Sequence, residues 1–300
     1  ARGKELPPLV CKNVEKREHA YYAKERGRIS LWDNRIEICT NLTIDGDAGY
    51  AMGTVDFNGD VIVKGDVLTD VVIRAGGDIT VDGVVEDSII EAGGDLVVAK
   101  GIKGDDQAVI RAGRSVYVRY LENSTVCARE NLLSDCVVNC DVYCDGAVSA
   151  CSGRGSIIGG KIRAGREVRA NAVGSRAECT TLVSLGGKPS EEFEHEELRR
   201  EIKDLQEELE RLERQPNGPE RLKNLPMVRM KLSVSKTRME QLEKAIRKRE
   251  EKREDPSGKR LACEIAYSGT EIVIGGARHR LKYEVEPCKA VYYKGEIRLV

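Results

Sequence analysis

One nine-residue phrase recurs along the first two thirds of the chain and restricts its fold more than any other feature. Ile73-Arg74-Ala75-Gly76-Gly77-Asp78-Ile79-Thr80-Val81 returns from Ile90 to Val98, from Ile110 to Val118 and from Ile162 to Ala170. With the alanine as anchor, weaker copies fall at Ile38, Phe57, Ala128 and Cys144. The anchors 38, 57, 75, 92, 112, 128, 144 and 164 cover 126 residues in seven steps, a mean of 18. Within each copy, apolar and mostly β-branched residues alternate, and glycine or aspartate corners interrupt them, which is strand chemistry. A phrase that repeats in one direction at this interval cannot make a hairpin at every step. A parallel β-helix, which stacks equivalent residues about 4.8 Å apart, satisfies it. Ile73, Ile90, Ile110, Val126, Val142 and Ile162 are then expected to form one inward ladder, and Arg74, Glu91, Arg111 and Arg163 an outward, charged one. Residues 36–187 hold eight to nine such coils, a rod on the order of 40 Å long.

After Gly186-Gly187-Lys188-Pro189 the pattern changes to Leu198, Ile202, Leu205, Leu209 and Leu212, the spacing of a coiled-coil helix, with Ser190 and two glutamates as its expected cap. Gln215 to Pro219 ends this helix. After a second breaker at Pro226 the spacing resumes at Val228, Leu232, Ser235, Met239, Leu242 and Ile246. Residues 191–214 carry eleven acids and five bases, whereas residues 227–254 carry ten bases and five acids. Opposite charge on consecutive helices predicts an antiparallel pair. From Leu261 to Val300 the chemistry is β again and is expected to cap or extend the rod. The expected fold is thus mainly β with an α-helical insertion. Its parts are a lead-in segment (1–35), a single-stranded parallel β-helix (36–187), an antiparallel coiled-coil hairpin (190–256) and a C-terminal β cap (257–300). The start, polar and without a methionine, leads us to expect a missing upstream domain.

The 49 basic residues against 50 acidic ones, with 4% aromatics, argue against a nucleic-acid binder. No apolar run reaches membrane-spanning length and no signal core opens the chain, so a cytoplasmic protein without a membrane span is expected. Ten cysteines are too sparse for a disulfide scaffold and are expected as free thiols. Cys136, Cys140, Cys144 and Cys151 do not read as a metal site, because four residues of strand span about 13 Å. Cys144 falls on the alanine anchor and Cys136 at a glycine corner, both places for small residues. The glycine phrases lack the spacing of phosphate loops. Two enzymatic alternatives need weighing. Ile73, Ile79, Val84, Ile90, Leu96 and Ile102 are spaced as in the hexapeptide β-helix of acyltransferases, and some right-handed β-helices are polysaccharide lyases. His19, His195 and His279 all lie outside residues 36–187, so the coils offer no imidazole base. The aromatic platforms a lyase would use are absent too. No catalytic residue, metal or cofactor is expected.

The stretches Phe57 to Val67, Ala75 to Glu86, Gly155 to Gly165 and Tyr267 to Gly275 resemble the bacterial flagellar assembly protein A family. Gly76, Gly77, Asp78, Gly159, Gly160 and Lys161 are the motif residues of that likeness, which extends over nearly the whole chain. The resemblance implies a right-handed coil, related in style to the polymer-forming bactofilins, with no known catalytic residues. It also implies a role in flagellar assembly or cell-pole organisation. The expected function is that of a non-enzymatic scaffold or regulatory adaptor in the bacterial cytoplasm. Its partners would be other proteins, by resemblance the flagellar or polar-localisation machinery, with self-association left open. Lys231, Lys236 and Arg238 on the hairpin and Arg74, Glu91 and Arg111 on the rod are the candidate partner-binding residues.

Overall fold

Alternation sends every second side chain of a strand to the same face, and here those faces stack coil upon coil. The computed structural model describes residues 10–300 except 19, 25–26, 33–34, 106, 217 and 252–254. Val55, Ile73, Ile90, Ile110, Val126, Val142, Ile162, Val183 and Ile272 pair in parallel register, one beneath the next. From Ile73 onward every member of this column is 0% exposed. A second column runs from Val61 through Ile79, Leu96, Val116, Leu132, Val148 and Val168 to Leu261. A third passes Val67, Val85, Ile102, Leu121, Val137, Ile157, Val173 and Ala266. The three columns meet in one continuous core. Each fully buried Val, Leu or Ile contributes about 1.5–3 kcal/mol of transfer free energy to it. Eight rises along the first column give a rod of about 40 Å.

Two sequence readings shift by register. Val84 is half-buried and its neighbour Val85 is the inward residue, because the chain turns a corner there and the pair exchanges sides. Ile38 is not a rung of the anchor column that holds Phe57, Ala75 and Ala92. It belongs to Arg35–Cys39, which pairs antiparallel with Arg28–Trp32 and parallel with Val10–Lys12 in a separate sheet. Alternation alone does not distinguish those partners from a coil.

The corners explain the glycine-aspartate phrases. The Asp60 carboxylate accepts from the backbone N–H of Asp78 at 2.9 Å, Asp78 from that of Asp95 at 2.8 Å, and Asp95 from that of Ser115 at 2.9 Å. Each aspartate therefore satisfies a backbone donor of the next coil that the turn would leave unpaired. A Cβ on Gly77 would stand 2.1 Å from Asp60 Oδ1, so the residue before Asp78 has no room for a side chain. Gly159 and Gly160 occupy φ of +68° and +72° at another corner, where Gly159 N donates to Thr181 Oγ1 at 2.9 Å. Lys161 follows them as an exposed rung between Asp141 and Leu182.

The helices interrupt a coil without ending it. Strand Thr181–Leu185 leads to Gly186-Gly187, the corner that Gly76-Gly77 occupies in an earlier coil. Helices α1 (Pro189–Arg214) and α2 (Pro219–Glu250) leave at this point. The chain then returns as Arg260–Ala266 and Thr270–Ile274, still parallel to Glu167–Val173 and Thr181–Leu185. Only afterwards does the direction reverse: Ala277–Arg280, Cys288–Tyr293 and Glu296–Leu299 add antiparallel and close the rod. Pro226 does not break α2, which runs through it. The missing bond would go to the carbonyl of Leu222, a residue 71% exposed, where water can serve as donor.

Candidate interaction surface

The outward column beside the first inward one reads Arg74, Glu91, Arg111, Cys127, Tyr143 and Arg163. Its first three members neutralise one another: Glu91 bridges Arg74 at 2.7 Å and Arg111 at 2.6 Å. The rest of the column is the seat of α1. Ser190 does not cap the helix with its own side chain, as the sequence reading had it; it lies inside the first turn, after Lys188 and Pro189. The cap comes from the rod instead. Asp145 accepts from Ser190 N at 2.8 Å and from Ser190 Oγ at 2.6 Å.

One turn on, Phe193 packs on Tyr143 with ring centroids 5.2 Å apart, over the buried Cys127. Arg163 lies 4.3 Å from the Tyr143 ring and Arg111 5.3 Å from that of Phe193. Tyr143 OH donates to Glu196 Oε2 at 2.8 Å, and Arg111 pairs with Glu197. Burial beneath α1, then the bond to Glu196, push the Tyr143 hydroxyl well above its ordinary pKa. Burial also raises the Glu197 carboxyl, against the pull of Arg111. Arg111 and Arg163 are thus partly covered by the hairpin and not simply solvated rungs. The signals in the sequence were Tyr143, an aromatic in the outward column, and Phe193, one of only two phenylalanines.

These contacts come from residues 190–197; farther out the hairpin is held by itself. Leu205, Leu212, Val228 and Leu232 form its small core, with Ile202, Leu209 and Leu225 against it. Opposite charges meet across it in Arg249–Glu191 and Arg238–Glu194, each at 2.6 Å, and in Arg229–Glu213 at 2.8 Å. His195 stands 3.6 Å from Glu243. Of the three candidate bases, only Arg238 takes part. Lys231 and Lys236 are exposed and make no ion pair among the described residues.

The structure brings Arg74, Glu91, Arg111 and Arg238 together along one cleft of about 550 Å³ between rod and hairpin, with Glu194 and Glu197 on its other wall. Lys231 and Lys236 lie apart from it. The sequence reading overlooked a second apolar stripe on α2, opposite its buried face. Met227, Met230 and Val234 are 50%, 64% and 61% exposed. The 3 and 4 spacing of residues 227, 230 and 234 carries that signal, but the coiled-coil seam beside it has the same period. Residues 221–239 include six bases and no acid.

Among the described residues no group of three or more His, Cys, Asp or Glu side chains is arranged to hold a metal ion, and no helix is long and apolar enough to cross a membrane. His279 lies in the C-terminal strands, and His19 falls outside the described residues. The sequence model of the Flagellar Assembly Protein A beta solenoid domain matches residues 40–297. The chain belongs to that family. The match includes the parallel coils, the inserted hairpin and most of the C-terminal strands. Searches of curated proteins and of solved structures return no match.

Proposed function

We propose that the protein is a scaffold or regulatory adaptor for flagellar assembly or cell-pole organisation in the bacterial cytoplasm, and that it holds partner proteins on the distal half of its hairpin. The observation that carries this reading is the outer stripe of α2. Three large apolar side chains, Met227, Met230 and Val234, stand exposed on one helix face, in a segment with six bases, at the end of an arm fixed to a rod at its base. An isolated exposed leucine is ordinary, but a stripe at helical spacing is the surface an amphipathic partner helix packs against. Lys231, which is without an internal ion pair among the described residues, flanks the stripe and would select an acidic partner. Arg238, Arg111 and Arg74 already have internal partners, so any part they take is secondary.

The test is affinity capture from the lysate of a flagellated bacterium, with Met230→Asp/Val234→Asp beside the wild type. The doubly substituted chain keeps its helicity and melting temperature, since both side chains face solvent, and loses the captured proteins. Capture of the same proteins in the same amounts would exclude the stripe.

A further inference from the structure

The inward column that includes Ala150 and Ala170 ends in two thiols. Ala150 pairs with Ala170 and Ala170 with Cys263 in parallel register; Cys263 then faces Cys288 across the first antiparallel pair of the cap. Both cysteines point into the core beside Leu261 and Ala290, and they are 8% and 1% exposed. Directly opposed residues of antiparallel strands have Cα atoms about 4.5 or 5.5 Å apart, and both values lie within the range of about 4.4–6.8 Å found in disulfides. Among the described pairings no other two cysteines face each other. The adjacent Cys288 thiol, then burial, raises the pKa of Cys263, while the adjacent Cys263 lowers that of Cys288 against the effect of burial. Loss of one proton from the pair leaves a nucleophilic sulfur beside a thiol.

We propose that Cys263 and Cys288 are a dithiol modification site, which a small-molecule disulfide oxidises to a disulfide that fastens the C-terminal cap to the last coil. One cysteine of the pair, as thiolate, attacks one sulfur of oxidised glutathione, breaks its S–S bond and releases one glutathione thiolate. The other, deprotonated in turn, attacks the protein sulfur of the mixed disulfide and releases the second glutathione. The two protons lost by the protein end on the two glutathione thiols, and two electrons pass from the cysteines to the glutathione disulfide. The consequence is mechanical. Strand Cys288–Tyr293 has no covalent tie to the coils, and its departure would bare the edge of Arg260–Ala266, an open template for another strand. The cross-link keeps that edge covered.

The full chain is incubated in glutathione redox buffers, and in a second arm is unfolded and refolded in the same buffers. Free thiols are then alkylated, and the digest is mapped by mass spectrometry. The expected result is a peptide linked through Cys263 and Cys288, with the other eight cysteines alkylated. Amide exchange in Cys288–Tyr293 should slow at least about tenfold on oxidation. Cys263→Ala, which copies the alanine of the preceding rungs, should leave Cys288 alkylated and make the exchange insensitive to oxidant. Two alkylated thiols in both arms, or a link from either cysteine to a different one, would overturn the proposal.

Discussion

Asp145, on a corner of the rod, caps a helix whose second residue lies 45 positions later: its two carboxylate oxygens accept from the backbone N–H and the hydroxyl of Ser190. This makes the hairpin an arm with a fixed root and ties the geometry of α1 to that of the coils. Removal of an N-cap carboxylate costs about 0.5–2 kcal/mol. Asp145→Ala should destabilise the protein by that amount in urea unfolding, and Ser190→Ala in the same background should add little. A large additional loss from Ser190→Ala would mean that the two residues act independently.

Ile90 sits at the middle of the first inward column, fully buried between Ile73 and Ile110. Ile90→Asp places a carboxylate where nothing pairs with it, a change of several kcal/mol by the usual magnitude. The expected outcome in calorimetry is loss of the rod's cooperative transition. A retained melting temperature would mean that the register is wrong.

Much of this column is legible in the sequence, because Ile73, Ile90 and Ile110 sit in copies of one phrase whose period-2 alternation admits few alternatives. Its last rung is not. Val183 and Ile272 are adjacent in space, but the hairpin falls between them in the chain, so no sequence interval joins them. Ile38 shows the converse, since the same alternation serves a strand of a different sheet. The seat of α1 was hidden for a third reason: a cap supplied by Asp145 is a tertiary contact and leaves no mark around Ser190. The exposed stripe of Met227, Met230 and Val234 is present in the sequence, but its 3 and 4 spacing has the same period as the seam of Val228, Leu232 and Ser235 beside it.

Glu167 should make the last coil acid-sensitive. Burial opposes its charge, but Arg260 at 2.8 Å and Arg169 at 2.9 Å outweigh that and hold its carboxyl below the ordinary value of 4.5. For a carboxylate whose folded pKa is lowered, the stabilisation is complete above the unfolded value and is lost as pH falls through the folded one. The urea midpoint should therefore drop between about pH 5 and about pH 3, and Glu167→Gln should show a smaller drop. Equal slopes for the two proteins would remove the bridge from the account.

The hairpin charges separate into two kinds. Arg238→Glu sets a like charge against Glu194 and should destabilise by about 0.5–1 kcal/mol at low salt, less at high salt, since Arg238 is 63% exposed. Lys231→Glu, at a side chain with no ion pair among the described residues, should leave the thermal transition within error of the wild type. Equal effects would show that diffuse charge, not specific pairs, joins the helices.

The central claim is that the distal hairpin, and not the rod, holds the partner. A chain in which residues 205–235 are replaced by a short turn keeps Ser190, Phe193, Glu196 and Glu197 at their seat on the rod. The decisive measurement is the Kd of the captured partner for this chain and for the full one, with both rods shown to melt alike. The account predicts binding too weak to measure in the shortened chain; an unchanged Kd would contradict it and move the site to the outward column of Arg74, Glu91 and Arg111.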